Sequence, residues 1–152
     1  MISQFDSTDK KILKRLSENA RVPYSTLAKE LSISNTMVHQ RVNKLKQSGV
    51  IKNATYVFDP KVLGYTTEAM TRIIVTNAKY VNNLIAALKE IPEIVECSNI
   101  TGKYALIIKI FAKDNSHLRD VLYGRIHPLA GVEGTDTTIS FETAFQKNIA
   151  ID

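Results

Sequence analysis

The chain has one cysteine, Cys97, in 152 residues, so it has no internal disulfide framework, and the composition is that of a cytoplasmic protein. It has no apolar run long enough to span a bilayer. The longest, Ala105 to Phe111, is interrupted by Lys109. The opening "MISQFDSTDKKILKRL" places acids before bases and has no apolar core followed by small residues, so no secretory signal is expected. Internal repeats and low-complexity stretches are absent. His39, His117 and His127 stand far apart, and no pair has metal-ligand spacing. There is no Ser/His/Asp arrangement and no phosphate-cradling glycine loop, and Asp136 and Glu142 read as surface residues. No catalytic residue, metal or cofactor is expected.

One further shortage is local. No acid occurs between Glu30 and Asp59. Residues 1–52 hold ten Lys/Arg against four Asp/Glu, a surplus of six, whereas the remaining hundred carry a net charge of −1 within the total of +5. A basic first third on a neutral remainder suggests two jobs, the first beside a polyanion.

What is present is organised in two rhythms. The first is helical. Asp6 can cap a helix in which Ile12, Leu13 and Leu16 form the apolar stripe, with Asp9 near its positive end. "ENAR" closes that helix. Pro23 suits the first turn of a second, "YSTLAKELS", with Leu27, Ala28 and Leu31 inward. After a tight "SIS" connection, in which Ile33 fills the centre, Ser34 caps a third helix. Its stripe is Val38, Val42 and Leu45, and Gly49 ends it. Residues 1–52 therefore read as an all-helical domain, and 53–66, containing Pro60 and Gly64, as a strand-like linker.

The second rhythm runs over residues 67–152. Strands are expected at 69–76, 93–100, 104–111 and 135–145. Helices are expected at 80–91 and 115–130, the latter capped by Asn115 or Ser116. Thr137, Ile139, Phe141, Thr143 and Phe145 share one face of the last strand. The order β-α-β-β-α-β is the split, ferredoxin-like arrangement, and the fold class is α+β. Two helices would cover one sheet face, and a second copy of the sheet is the expected cover for the other.

A helix, a tight turn and a second helix with a narrow buried stripe is the geometry that offers the second helix to the DNA major groove. Outside the stripe lie Asn35, Thr36, Met37, His39, Gln40, Arg41, Asn43 and Lys44, with Lys46 beyond. Asn and Gln can each make two hydrogen bonds to adenine, Arg can do so to guanine, and Thr or Met can touch a thymine methyl. Lys44 and Lys46 suit phosphates.

These residues together resemble the Lrp/AsnC, or feast/famine, family of transcriptional regulators. The resemblance is carried by Asp6, Asp9, Ile12, Leu13, Leu16, Asn19-Ala20-Arg21, Leu27-Ala28, Ser34, Arg41-Val42, Leu45, Gly49 and Ile51. It continues through "TGKY" and "GVEGTDTTI" in the second domain, and is closer to the AsnC branch. It implies a winged helix-turn-helix followed by an ACT-like (RAM) domain that binds a small effector, usually an amino acid, between subunits. It also implies dimers that assemble into tetramers or octamers and read a roughly palindromic double-stranded site. The matching effector positions are Thr101, Gly102 and Tyr104, with Thr135, Asp136 and Thr137 as further candidates. Leucine-responsive members often carry Asp after that Tyr, and here the residue is Ala105. Two other readings compete: a tetrapyrrole (siroheme-type) decarboxylase relative without DNA binding, and an amino-acid-sensing oligomerisation module.

Overall fold

The computed structural model describes residues 5–151. The first four residues and the last, which the domain limits above included, lie outside the described residues. The chain forms two compact units. One runs through Val57 and takes in the tail from Gln146, and the other spans Phe58–Phe145.

The first unit contains α1 (Ser7–Glu18), α2 (Tyr24–Leu31) and α3 (Asn35–Gln47). The α1 start is a reciprocal cap: Asp6 accepts from the Asp9 N–H at 2.8 Å, and the Asp9 carboxylate accepts from the Asp6 N–H at 3.4 Å. Pro23 is the N-cap of α2 and not its first helical residue, and no side chain caps that end. Ser32 takes a left-handed conformation, φ +53°, so its N–H and that of Ile33 return to carbonyls of α2 and the chain reverses within three residues. Ser34 accepts from the Met37 N–H and starts α3, and Gly49 follows its C-cap, Ser48. The core is Ile12, Val22, Leu27, Ala28, Val38, Val42 and Leu45, with Leu13, Leu16, Leu31 and Ile33 packed against it.

The second unit contains β1 (Thr67–Val75), α4 (Val81–Lys89), β2 (Ile94–Asn99), β3 (Leu106–Ala112), α5 (Asn115–Val121) and β4 (Val132–Ser140). The sheet is antiparallel in the order β2-β3-β1-β4, which is the expected ferredoxin-like topology. Alternation along β1 and β3 buries Ala69, Thr71, Ile73, Leu106, Ile108, Ile110 and Ala112 with Leu84, Leu88, Leu118, Val121 and Ile126 of the helical layer. The opposite face carries Glu68, Met70, Arg72, Ile74, Ile107, Lys109 and Phe111, all half-buried.

Several expectations shift. Residues 53–66 contain no strand. An extended segment needs a neighbouring strand to form a ladder, and the single chain offers none there. β4 begins three residues before Thr135 and ends at Ser140, where its ladder with β1 ends at Glu68, one residue from the start of β1. Phe141 and Phe145 lie beyond the ladder, 98% and 77% exposed. The cap of α5 is Asp114, whose carboxylate accepts from the His117 N–H, and not Asn115 or Ser116. After Val121 the helix widens through Leu122–Ile126, where the His127 N–H reaches back five residues to Leu122.

Gly131, before β4, has φ +94°, and a Cβ there would stand 2.4 Å from Tyr80 Cβ. Gly131→Ala therefore combines backbone strain with overlap against a side chain held at its root. It should cost on the order of 2–3 kcal/mol, read as a lower melting temperature. An unchanged melting point would show that the Tyr80 turn gives way freely.

Candidate DNA interface and effector hollow

At about 100° per residue, the buried stripe of α3 leaves Thr36, Gln40, Asn43 and Gln47 near the middle of the free face. Val38, Val42 and Leu45 are 0–1% exposed, which pins the rotation of the helix. Asn35, Thr36, Met37, His39, Gln40, Asn43, Lys44 and Lys46 are all exposed. His39 meets the Tyr24 ring edge-on, centroids 4.6 Å apart, so one member of the expected reading edge is braced from α2.

Arg41 differs from its neighbours. It lies roughly 60° from the centre of the stripe and is the one α3 residue that is neither buried nor exposed. Its Nη1 donates to Asp6 Oδ2 and Asp9 Oδ1, both at 2.7 Å. Its guanidinium is thus turned back onto α1, away from the position expected of a base reader. Asp9 is only 3% exposed. The Asp9 N–H, then Arg41, hold the Asp6 carboxyl below its ordinary range, and the hydrogen bonds that Arg41 donates to Asp6, then to Asp9, raise the pKa of its guanidinium. Nothing in the residue spacing signalled this clasp, because 32 residues separate Asp9 from Arg41.

In the second unit, a hollow of about 500 Å³ is lined by Val75, Ala78, Val81, Asn82, Asn99, Ile100, Gly102, Lys103, Tyr104 and Ala105. Gly102 and Tyr104 of the expected effector set line it, while Thr101 is exposed in the same turn. The β4 candidates divide by strand alternation. Thr135 bonds His127 Nε2 at 2.8 Å, and Thr137 bonds the fully buried Thr71 at 2.9 Å, so both hydroxyls are engaged on the helix side. Asp136 lies on the opposite face. There it accepts from the Tyr104 hydroxyl at 3.0 Å and pairs with Arg72 at 3.1 Å. The Asp136 carboxylate keeps the Tyr104 phenol protonated beyond its usual range. The turn is thereby tied across β1 to β4. Asn82 and Asn99 were not anticipated, because they come from separate elements without a shared motif.

Among the described residues, no group of three or more His, Cys, Asp or Glu could hold a metal ion, and no helix is long and apolar enough to cross a membrane.

Comparison with known proteins places both units. Residues 5–52 match the winged helix-turn-helix DNA-binding family, and residues 68–149 match the Lrp/AsnC ligand-binding domain. The Haemophilus influenzae regulatory protein AsnC is 34% identical over 144 residues, covering 95% of this chain and 96% of that one. The structure of Escherichia coli AsnC superposes with a TM-score of 0.89 at 33% identity, over 95% and 97% of the two chains. A Neisseria meningitidis transcriptional regulator, solved as a complex with L-Met, shares the fold with a TM-score of 0.87 at 19% identity over 94% of each chain. A basic helix-turn-helix unit with an exposed polar α3, joined to a ferredoxin-like unit with a hollow at its β2–β3 turn, makes the chain a member of the Lrp/AsnC family of transcriptional regulators.

Proposed function

We propose that α3 enters the DNA major groove, with Asn35, Thr36, Met37, His39 and Gln40 toward base edges and Lys44 and Lys46 toward phosphates. Asn43 lies between the two sets. The observation that supports this most directly is the pinned rotation of α3: its stripe is buried and every side chain of the proposed edge is exposed. The protein then works by binding and not by catalysis, in the cytoplasm. A homodimer formed through the open sheet faces would set two α3 helices against half-sites about one helical turn apart on a roughly palindromic duplex. Such dimers would assemble further into tetramers or octamers.

We infer that the effector is a small amino acid held at the Gly102 hollow and completed by a neighbouring subunit. The hollow's size falls within the range of about 300–1,000 Å³ typical of small-molecule sites, and the L-Met complex of the Neisseria relative supports the ligand class. Its lining contains no carboxylate. Lys103 offers a cation, Asn82 and Asn99 offer amides, and Val75, Val81 and Ile100 offer an apolar wall. Such a lining suits an amino acid's carboxylate and side chain better than its ammonium group, as the absence of an acid at Ala105 also suggests. Coupling between effector and DNA must be reciprocal in their affinities.

Four outcomes are expected. Gln40→Ala should relax discrimination at one base pair by about 1–3 kcal/mol, whereas Lys44→Ala should weaken all duplexes alike and reduce the salt slope by about 1. Titrations at several salt concentrations would check both, and a wild-type affinity insensitive to salt would refute the DNA-facing role of α3. A thermal-shift panel of the twenty amino acids should show one or a few that raise the melting point. Gly102 has φ +108°, so Gly102→Ala strains the turn although a Cβ would meet nothing within 4 Å. This variant should lose the thermal shift and retain DNA binding; loss of both would show that the turn is only structural.

A further inference from the structure

All four acids of residues 1–52 serve two arginines. Glu18 and Glu30 pair with Arg15 at 2.8 Å, and Asp6 and Asp9 pair with Arg41 at 2.7 Å. Among the described residues, none of the seven lysines in that segment forms an ion pair. The unit therefore leaves its point charges available to a polyanion and neutralises the one guanidinium carried by the DNA-facing helix. A guanidinium is also the group best shaped to grip a phosphate or guanine in two places. A single nitrogen, Nη1, carries both bonds of the Arg41 clasp. One carboxylate, on Asp9, is buried. The other, on Asp6, is half-exposed at 53% and caps α1.

We propose that Asp6 and Asp9 withhold Arg41 from DNA, and that this restraint sets the margin between cognate and non-cognate binding. The argument rests on the reading of α3 as the DNA-facing helix. A mobile arginine on that face would add affinity for any duplex, since phosphates carry no sequence. Held by two carboxylates, it adds none, and discrimination is left to the shorter polar side chains of the free face.

Asp6→Asn tests this without removing the cap, because Asn caps helices as well as Asp does. The cognate probe is a duplex selected from a random library on the wild-type protein, and the non-cognate probe is poly(dI-dC). With a folded variant verified by its melting curve, non-cognate affinity at about 0.15 M salt should rise several-fold, on the order of five, and cognate affinity should rise less. The slope of log K against log salt should steepen by about 0.9 as the released arginine reaches one phosphate. Adding Arg41→Gln to that variant should return the slope to the wild-type value, and Arg41→Gln alone should leave both the slope and base discrimination unchanged. The proposal is overturned if Asp6→Asn changes nothing, or if its gain persists undiminished in the double variant, which would reduce the effect to loss of a negative charge. It is equally overturned if Arg41→Gln alone flattens the slope or relaxes one base position, since Arg41 would then already touch DNA. A salt-insensitive wild type would instead refute the DNA-facing reading of α3, so the two failures are separable.

Discussion

The rotation of α3 about its own axis is the constraint on which the first unit depends. Three side chains, Val38, Val42 and Leu45, set it by packing against Ile12, Leu27 and Ala28 at near-zero exposure. A helix held by so narrow a stripe can offer most of its circumference to a partner. The sharp reversal at Ser32–Ser34 delivers the chain to that position, with Ser32 accepting an uncommon backbone conformation for a residue with a side chain. The ion pairs on the flank of α3 then engage one further group, Arg41. Apolar burial thus decides which side chains are available, and electrostatics edits that set.

A different kind of restraint organises the second unit. Its core is a conventional layer of β1 and β3 against α4 and α5, and the turn between β2 and β3 would by itself be an exposed loop. The Tyr104 hydroxyl fastens it to Asp136 on the far edge strand, while Arg72 pairs with the same carboxylate from β1. The wall of the hollow is therefore tied to the sheet face that remains open for a second copy. The proposed ligand site and the proposed pairing surface are thereby linked through Tyr104, Asp136 and Arg72, the kind of connection an effector needs in order to alter assembly.

Much of this was legible from local chemistry. The Asp6 and Ser34 caps, the three stripe residues, the exposed polar set on α3 and the β-α-β-β-α-β order all follow from spacing and residue type, because each depends on neighbours within a turn or two of helix or on strand alternation. Two misreadings were local, the α5 cap at Asp114 and the place of Pro23 before α2; the others depend on partners distant in sequence. β4 ends where its ladder with β1 ends, not where its alternating pattern ends. The extended segment before β1 has no ladder partner in the single chain. Thr135 and Thr137 looked equivalent to Asp136, yet alternation sends them to the helix side, where His127 and Thr71 engage them.

The sequence by itself determined the Asp6 and Ser34 caps, the apolar stripes, the element order and the concentration of positive charge in the first 52 residues, since these are properties of short stretches of chain. Only the tertiary structure decided that Arg41 pairs with Asp6 and Asp9, that Asn82 and Asn99 join the Gly102 turn around one hollow, and that Gly131 must pass against Tyr80. The reason is that a guanidinium carries no record in its local sequence of which carboxylate will neutralise it. That choice is made when the Val38–Val42–Leu45 stripe docks and brings α1 and α3 within reach of each other.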